Sequence, residues 1–304
     1  MISVQIVLHC FAHEIDEFQR IVWHLKRNLG MVDTVSWTFK FVLNLSTKTY
    51  DWKESRIDKE FFASKFESIC ATLPQVEKDI VYNRDYGCNS IRREAARACE
   101  FDYICYLDTD LHFSIYTLYY LSESLKAIHD LHLDGVILSA QILRLWDDSW
   151  NIISNDDFID MGVESKIWLK YDPFSIDSEV YRNDLANKIK LKKLPYIKFG
   201  GGWFNVLSTK LLRFIDIPDS LGPYGRDDTY VADAANLMVS KGKEVGQYIV
   251  DYLLVCENRL YRDYEPYKNY LTLTEDRDEY KKRNAEKAEN VYREELIRFE
   301  EKLR

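Results

Sequence analysis

No stretch of this 304-residue chain is apolar for long enough to cross a bilayer, which takes about 20 residues of helix. The apolar start, Ser3 to Phe11, has no basic run before it and meets Glu14, Asp16 and Glu17 directly after. It reads as a first strand rather than a signal peptide, and a cytoplasmic protein without integral membrane association is expected. No C-x-x-C pair occurs among the six cysteines (Cys10, Cys70, Cys88, Cys99, Cys105, Cys256). They read as reduced core residues rather than a disulfide framework. Positive charge is not in excess either: the formal net charge is −9. That excludes a protein that coats nucleic acid non-specifically, though not a local basic groove.

What is present is an alternation of strand and helix patterns. Residues 4–11 are the first strand, and residues 14–29 follow as an amphipathic helix on Ile15, Phe18, Ile21, Val22, Leu25 and Leu29, closed by Gly30. Residues 37–45 alternate as a second strand, residues 51–79 read as a charged helix with Phe61, Phe62, Phe66 and Ile69 inward, and residues 79–82 form a third strand. The alternation predicts βαβ units and a mostly parallel central sheet flanked by helices, an α/β fold in one large domain.

Tyr103 to Leu107 is a short apolar run, rich in aromatic and branched residues, of the kind a strand buried on both faces shows. It ends in Asp108-Thr109-Asp110. Alternate residues of an extended chain point to one side, so Asp108 and Asp110 are placed to converge on one cation. Hard carboxylate oxygens suit Mg²⁺ or Mn²⁺. An acidic turn that merely ends a strand has the same residues. Ahead of the strand lies Gly87-Cys88-Asn89-Ser90-Ile91-Arg92-Arg93-Glu94-Ala95-Ala96-Arg97-Ala98, where Asn89 or Ser90 can cap a helix with Ile91, Ala95 and Ala98 inward.

A second informative stretch is Phe199-Gly200-Gly201-Gly202-Trp203-Phe204, followed by Gly222-Pro223-Tyr224-Gly225-Arg226-Asp227-Asp228. Three consecutive glycines allow close backbone approach to a ligand, or a plain turn. An acidic pair at a helix start is ordinary N-terminal charge chemistry when met alone.

In this order, a short Ala-rich helix, a D-x-D strand, a glycine run and Gly-x-Asp-Asp resemble the GT-A fold glycosyltransferases, particularly the inverting family 2 type. The resemblance implies transfer of a sugar from a nucleotide-sugar donor to a hydroxyl acceptor on a glycan, lipid, protein or modified nucleobase. It implies Asp228 as catalytic base, with Asp227 positioning the acceptor, and a divalent metal (Mn²⁺ or Mg²⁺) on Asp110 and Asp108. A third metal ligand in such enzymes is often a late His; all six histidines here precede residue 133, and Glu257 or Asn258 is the expected substitute. Donor contacts fall on His9, Phe11, Asn44, Arg92, Arg93 and Asp108, and acceptor contacts on Gly201, Gly202 and Trp203. His9 reads equally as a core histidine, and the two arginines as solvated ones. The acidic pair departs from the family's Glu-Asp.

The implied organisation is a nucleotide-sugar-binding half over residues 1–140, an acceptor and base half over 141–262, and a tail over 263–304. Residues 141–195 are the least patterned part, with Trp146, Trp150 and Trp168 and a basic run over 188–193 that reads as a solvated helix face. The tail carries Tyr280, Ala288, Val291, Leu296, Phe299 and Leu303 at helical spacing, to pack on the domain or join a second copy as a homo-oligomer. Two other classes share parts of the pattern. A haloacid-dehalogenase-type phosphotransferase also ends a strand in D-x-D, in its first strand and with Thr or Val where His112 stands here. A non-catalytic nucleotide-sugar or glycan-binding protein on the same fold is the other. A sugar nucleotidyltransferase would want a glycine-rich loop where residues 1–30 hold only Gly30.

Overall fold

The computed structural model describes residues 1–32, 34–46, 48, 58–109, 111–113, 115–143, 190–197, 204–257 and 277–304. Among the described residues, nine strands form one mixed sheet: β1 (Ile2–Phe11), β2 (Val35–Asn44), β3 (Val76–Val81), β4 (Tyr103–Leu107), β5 (Leu111–Phe113), β6 (Gly135–Leu143), β7 (Lys190–Lys193), β8 (Phe204–Ser208) and β9 (Val245–Glu257). Their order is β3-β2-β1-β4-β8-β6-β9-β5, with β7 paired to β9. The first four strands run parallel to one another. β8 enters antiparallel between β4 and β6.

Helices cover both faces. On one side α1 (Ile15–Leu29), α2 (Lys59–Cys70) and α4 (Thr117–His129) bury Phe18, Phe66 and Leu125 against Val4, Ile6 and Leu8. On the other, α3 (Cys88–Ala98), α5 (Thr209–Ile215), α6 (Asp227–Ser240) and α7 (Arg277–Lys302) bury Ile91, Leu211, Ala235 and Ala288 against Val7, Ile104 and Tyr106. The period-2 alternation of β1 and β4 thus feeds two cores at once, which is why β4 is apolar throughout and β1 is apolar at most positions. Every residue of β4 is buried. Each fully buried large apolar side chain there stabilises the fold by about 1.5–3 kcal/mol.

Three local expectations change, and one short strand is added. The charged helix ends at Cys70, well short of residue 79, because Pro74 and a left-handed Gln75 (φ 53°) break it and launch β3 at Val76. α3 starts two or three residues earlier than its polar caps, Asn89 or Ser90, suggested, with Gly87 at the N-cap. A three-residue strand, β5, stands between the D-x-D turn and α4. The basic run is not a helix face: Lys190–Lys193 is an edge strand with Lys190, Lys192 and Lys193 exposed and Leu191 half-buried. Lysines on an edge discourage pairing with another chain.

The described part of the tail, residues 277–304, holds α7, and its apolar stripe is buried in this same chain through Ala288, Tyr292 and Phe299. Among the described residues, no helix is long and apolar enough to cross a membrane.

Candidate active site

β1 is flanked by β2 on one side and β4 on the other, so the chain reverses its direction of travel across the sheet between β1 and β4. Ligands of open α/β sheets bind in the crevice outside the strands' carboxyl ends at such a switch point. The register pairs Leu8 with Leu107 there. The next residues, His9 and Asp108, therefore stand side by side at the mouth, and by alternation both face the α3 side.

His9 packs edge-on to Phe11, with ring centroids 4.7 Å apart, and to Tyr86 at 5.8 Å. Burial, and then the nearby Arg92 cation, push its pKa down to about 3, so the ring is neutral at ordinary pH. Its Nε2 is buried with no hydrogen-bond partner among the described residues. A buried ring nitrogen without a partner costs free energy until a ligand or water supplies one.

Arg92, one turn into α3, is the centre of the site. Its guanidinium donates to Asp227 Oδ2 at 2.7 Å and reaches Asp108 Oδ1 at 3.5 Å. It lies 5.6 Å from the Tyr106 ring centroid, while the Tyr106 hydroxyl donates to the Arg92 carbonyl at 2.7 Å. Burial disfavours the charge, but Asp227 first and Asp108 next outweigh it, and the pKa of Arg92 rises. The cation is permanent. It joins a carboxylate at the end of β4 to one at the start of α6, 119 residues apart in the chain (227 − 108).

The acidic pair opens α6. Arg226, in the left-handed region (φ 63°), turns the chain into the helix, and its carbonyl accepts from Tyr230 N at 2.8 Å. Asp227 is buried against Arg92, whereas Asp228 is half-buried and accepts from its neighbour Thr229 N at 2.7 Å. A helix N-terminus favours carboxylates. For Asp228 burial and the adjoining Asp227 charge prevail, with Arg92 opposing, and its pKa rises to about 6.

This corner is pinned from the α3 side by contacts that no short motif reveals. A Cβ on Gly87 would sit 2.2 Å from the Pro223 carbonyl oxygen, so only glycine admits the loop there. Asn89 N donates to that same oxygen at 3.1 Å, and Asn89 Nδ2 donates to the Gly225 carbonyl at 2.9 Å. Asn89, expected as a cap, instead ties α3 to the loop. In the sequence the clue is a glycine-bearing turn just before each helix, with no sign that the two touch.

The other candidates fall as follows. Arg93 does not join Arg92: it donates to the Pro218 carbonyl at 3.0 Å and pairs with Asp219 at 2.6 Å. Asn44 is fully buried, donating to the Tyr86 carbonyl at 2.5 Å and accepting from Ser46 N at 2.9 Å. It shapes the turn under His9. Phe11 N donates to Glu14 Oε2 at 2.9 Å, which holds the chain as it leaves β1. Glu257 ends β9 in register with Leu111, so its backbone lies beside the D-x-D turn. Asp110, Gly201, Gly202 and Trp203 lie outside the described residues, as do Trp146, Trp150 and Trp168.

The sequence matches no family model and no curated protein. Among solved structures it is similar to S. aureus TarS, at 11% identity and a TM-score of 0.43, over 82% of this chain and 36% of that one. It is also similar to TarS 1–349, at 11% and 0.44 over 95% and 71%. With TarS 1–349 in complex with UDP-GlcNAc the values are 10% and 0.43 over 82% and 58%. This chain therefore spans little more than a third of the first. At these identities and TM-scores the likeness carries nothing about the chemistry of this chain, which rests on its own geometry.

Among the described residues, no group of three or more His, Cys, Asp or Glu side chains is gathered as a metal site. Of the expected metal ligands, Asp108 is the one whose side chain is described: its carboxylate is 35% exposed at the crevice mouth and 3.5 Å from Arg92, while the backbone of Glu257 pairs with Leu111 three residues on. Mg²⁺ and Mn²⁺ take few protein carboxylates and complete their shell with water and substrate phosphates.

Proposed function

We propose that this chain is a glycosyltransferase that moves a sugar from a nucleotide-sugar donor to a hydroxyl acceptor, with inversion at the anomeric carbon. The observation that carries the reading is the half-buried Asp228 carboxyl, its pKa raised to about 6, reached from Asp108 through Asp227 and one shared guanidinium at the switch point. A carboxylate poised near the working pH is what a general base requires.

The donor's nucleoside would lie across the ends of β1 and β4. The neutral His9 ring, braced by Phe11 and Tyr86, offers its buried Nε2 to the base edge. The diphosphate would lie by Asp108. A divalent cation held there by Asp108, with Asp110 and Glu257, would neutralise the charge that develops on the leaving diphosphate. The acceptor hydroxyl approaches from the Asp228 side. As its oxygen bonds to the anomeric carbon and the bond to the diphosphate breaks, the hydroxyl proton passes to the Asp228 carboxylate. Asp227, held by Arg92, keeps that carboxylate oriented and raises its proton affinity by repulsion. Gly201, Gly202 and Trp203 complete the acceptor side in this reading.

A panel of nucleotide sugars, scored by thermal shift with and without Mn²⁺, identifies the donor. In Asp228→Asn, donor binding should survive while transfer falls by roughly 10²–10⁴-fold, the usual worth of a general base. NMR of the product should show the anomeric configuration opposite to the donor's. Donor binding with no transfer to any hydroxyl would leave a nucleotide-sugar-binding protein, and retained configuration would remove Asp228 as the base.

A further inference from the structure

The acidic pair has a second neighbour that the reading above does not use, the C-terminal helix. Gly225 is left-handed (φ 93°), and a Cβ on it would lie 3.0 Å from the Ala285 Cα. The two backbones touch there with no side chain between them. The next residue, Arg226, is a non-glycine residue in the left-handed region, a conformation that persists only when its surroundings hold it. What holds it is α7: Arg226 pairs with Glu289, and its guanidinium lies 5.9 Å from the Tyr292 ring centroid. Tyr292 in turn hydrogen-bonds Asp233 on α6. Ala285, Glu289 and Tyr292 are spaced i, i+4, i+7, on one face of the helix. Farther along, Glu295 accepts from Ser220 Oγ at 2.7 Å.

We propose that α7 is a positioning element for the acidic pair, with Ala285 and Glu289 fixing the Gly225–Arg226 corner and thereby the placement of Asp227 and Asp228. The α3 side supplies the opposing jaw, through Asn89 and the carbonyl of Gly225. With the corner gripped from two sides, Asp227 meets Arg92 at hydrogen-bond distance and α6 starts in one direction only. Loss of one jaw leaves the left-handed Arg226 free to relax, which swings both carboxylates. A misplacement of about 1 Å can cost 10²-fold in rate. The rate consequence rests on the glycosyl-transfer reading; the mechanical one does not.

The test uses full-length variants. Ala285→Leu forces a side chain into the contact with Gly225, and Glu289→Gln removes the charge that faces Arg226. Phe299→Ala is the control, weakening the same helix about 21 Å along its axis from Ala285. Hydrogen–deuterium exchange over residues 222–229 should speed up in Ala285→Leu and Glu289→Gln, and stay at the wild-type rate in Phe299→Ala. Transfer assays should show kcat down roughly tenfold or more with donor KM unchanged in the first two. Phe299→Ala should lower the melting temperature while keeping kcat. If Ala285→Leu does not fold, Glu289→Gln decides alone. Unchanged exchange in the corner variants, or equal loosening of the corner in Phe299→Ala, overturns the proposal. Faster exchange in a protein that transfers no sugar would uphold the positioning role and discard the glycosyl-transfer reading.

Discussion

Asp228 links function to stability in opposite senses. Its folded pKa is raised from an ordinary 3.8 to about 6, so the folded state holds that proton more tightly than the unfolded chain does. The resulting penalty is absent below pH 4, grows as the pH rises through the interval to 6, and is complete above it. Asp228→Asn carries no such charge. It should melt higher than wild type at pH 8 and at the same temperature at pH 3.5, which calorimetry at the two values checks. Catalysis runs the other way: the carboxylate must be ionised to accept a proton, so kcat/KM of the wild type should fall tenfold per unit below pH 6. Arg92 bears on both quantities, opposing the burial and the Asp227 charge that raise this pKa. Arg92→Met leaves Asp227 buried without its partner, and breaking such a pair costs about 3–5 kcal/mol. It also removes the cation that holds Asp228 down, so the pH–rate midpoint should move upward. Urea unfolding and a pH profile measure the two effects. None of this pairing could be read along the chain. Arg92 and Arg93 look alike as adjacent arginines near a helix start, yet one faces the crevice and the other the Pro218–Asp219 turn.

Among the elements, β4 was the most legible: five apolar residues between polar flanks match the observed Tyr103–Leu107. A strand buried on both faces has no polar residue to blur its ends. β7 was the least, since Lys-Leu-Lys-Lys fits a solvated helix as well as an edge strand, and only the pairing with β9 decides. α2 was overextended because Pro74 and Gln75 mark its true end by backbone geometry, while the charged pattern continues past them. The contact between the Gly87 turn and the Pro223 loop was illegible, for it joins segments 136 residues apart (223 − 87). It yields a test. Gly87→Ala has no room beside the Pro223 carbonyl, and overpacking of this kind costs about 1–3 kcal/mol. Chemical denaturation should show that loss, and donor binding should weaken less than transfer, because the displaced loop carries the acidic pair.

At the scale of the whole molecule, the tail is where the largest mechanical effect is expected. α7 contributes Ala288, Tyr292 and Phe299 to the core on the α3 side. Deleting residues 277–304 should therefore lower the melting temperature markedly and leave the particle mass from light scattering at the value expected for the shortened chain. A halving of mass would instead show that the helix joins two copies. The sheet has a consequence for how the protein is made. β4 is born with one edge paired to β1 and the other vacant, because its second neighbour, β8, is encoded about 100 residues later. At roughly 5–20 residues per second, a ribosome leaves that edge of Tyr-Ile-Cys-Tyr-Leu uncovered for about 5–20 s. An apolar strand with free amide and carbonyl groups is a template for the wrong partner during that interval. Yield of folded protein should thus depend on translation speed through residues 108–203, a sensitivity that the finished molecule, with both edges of β4 sealed, no longer shows.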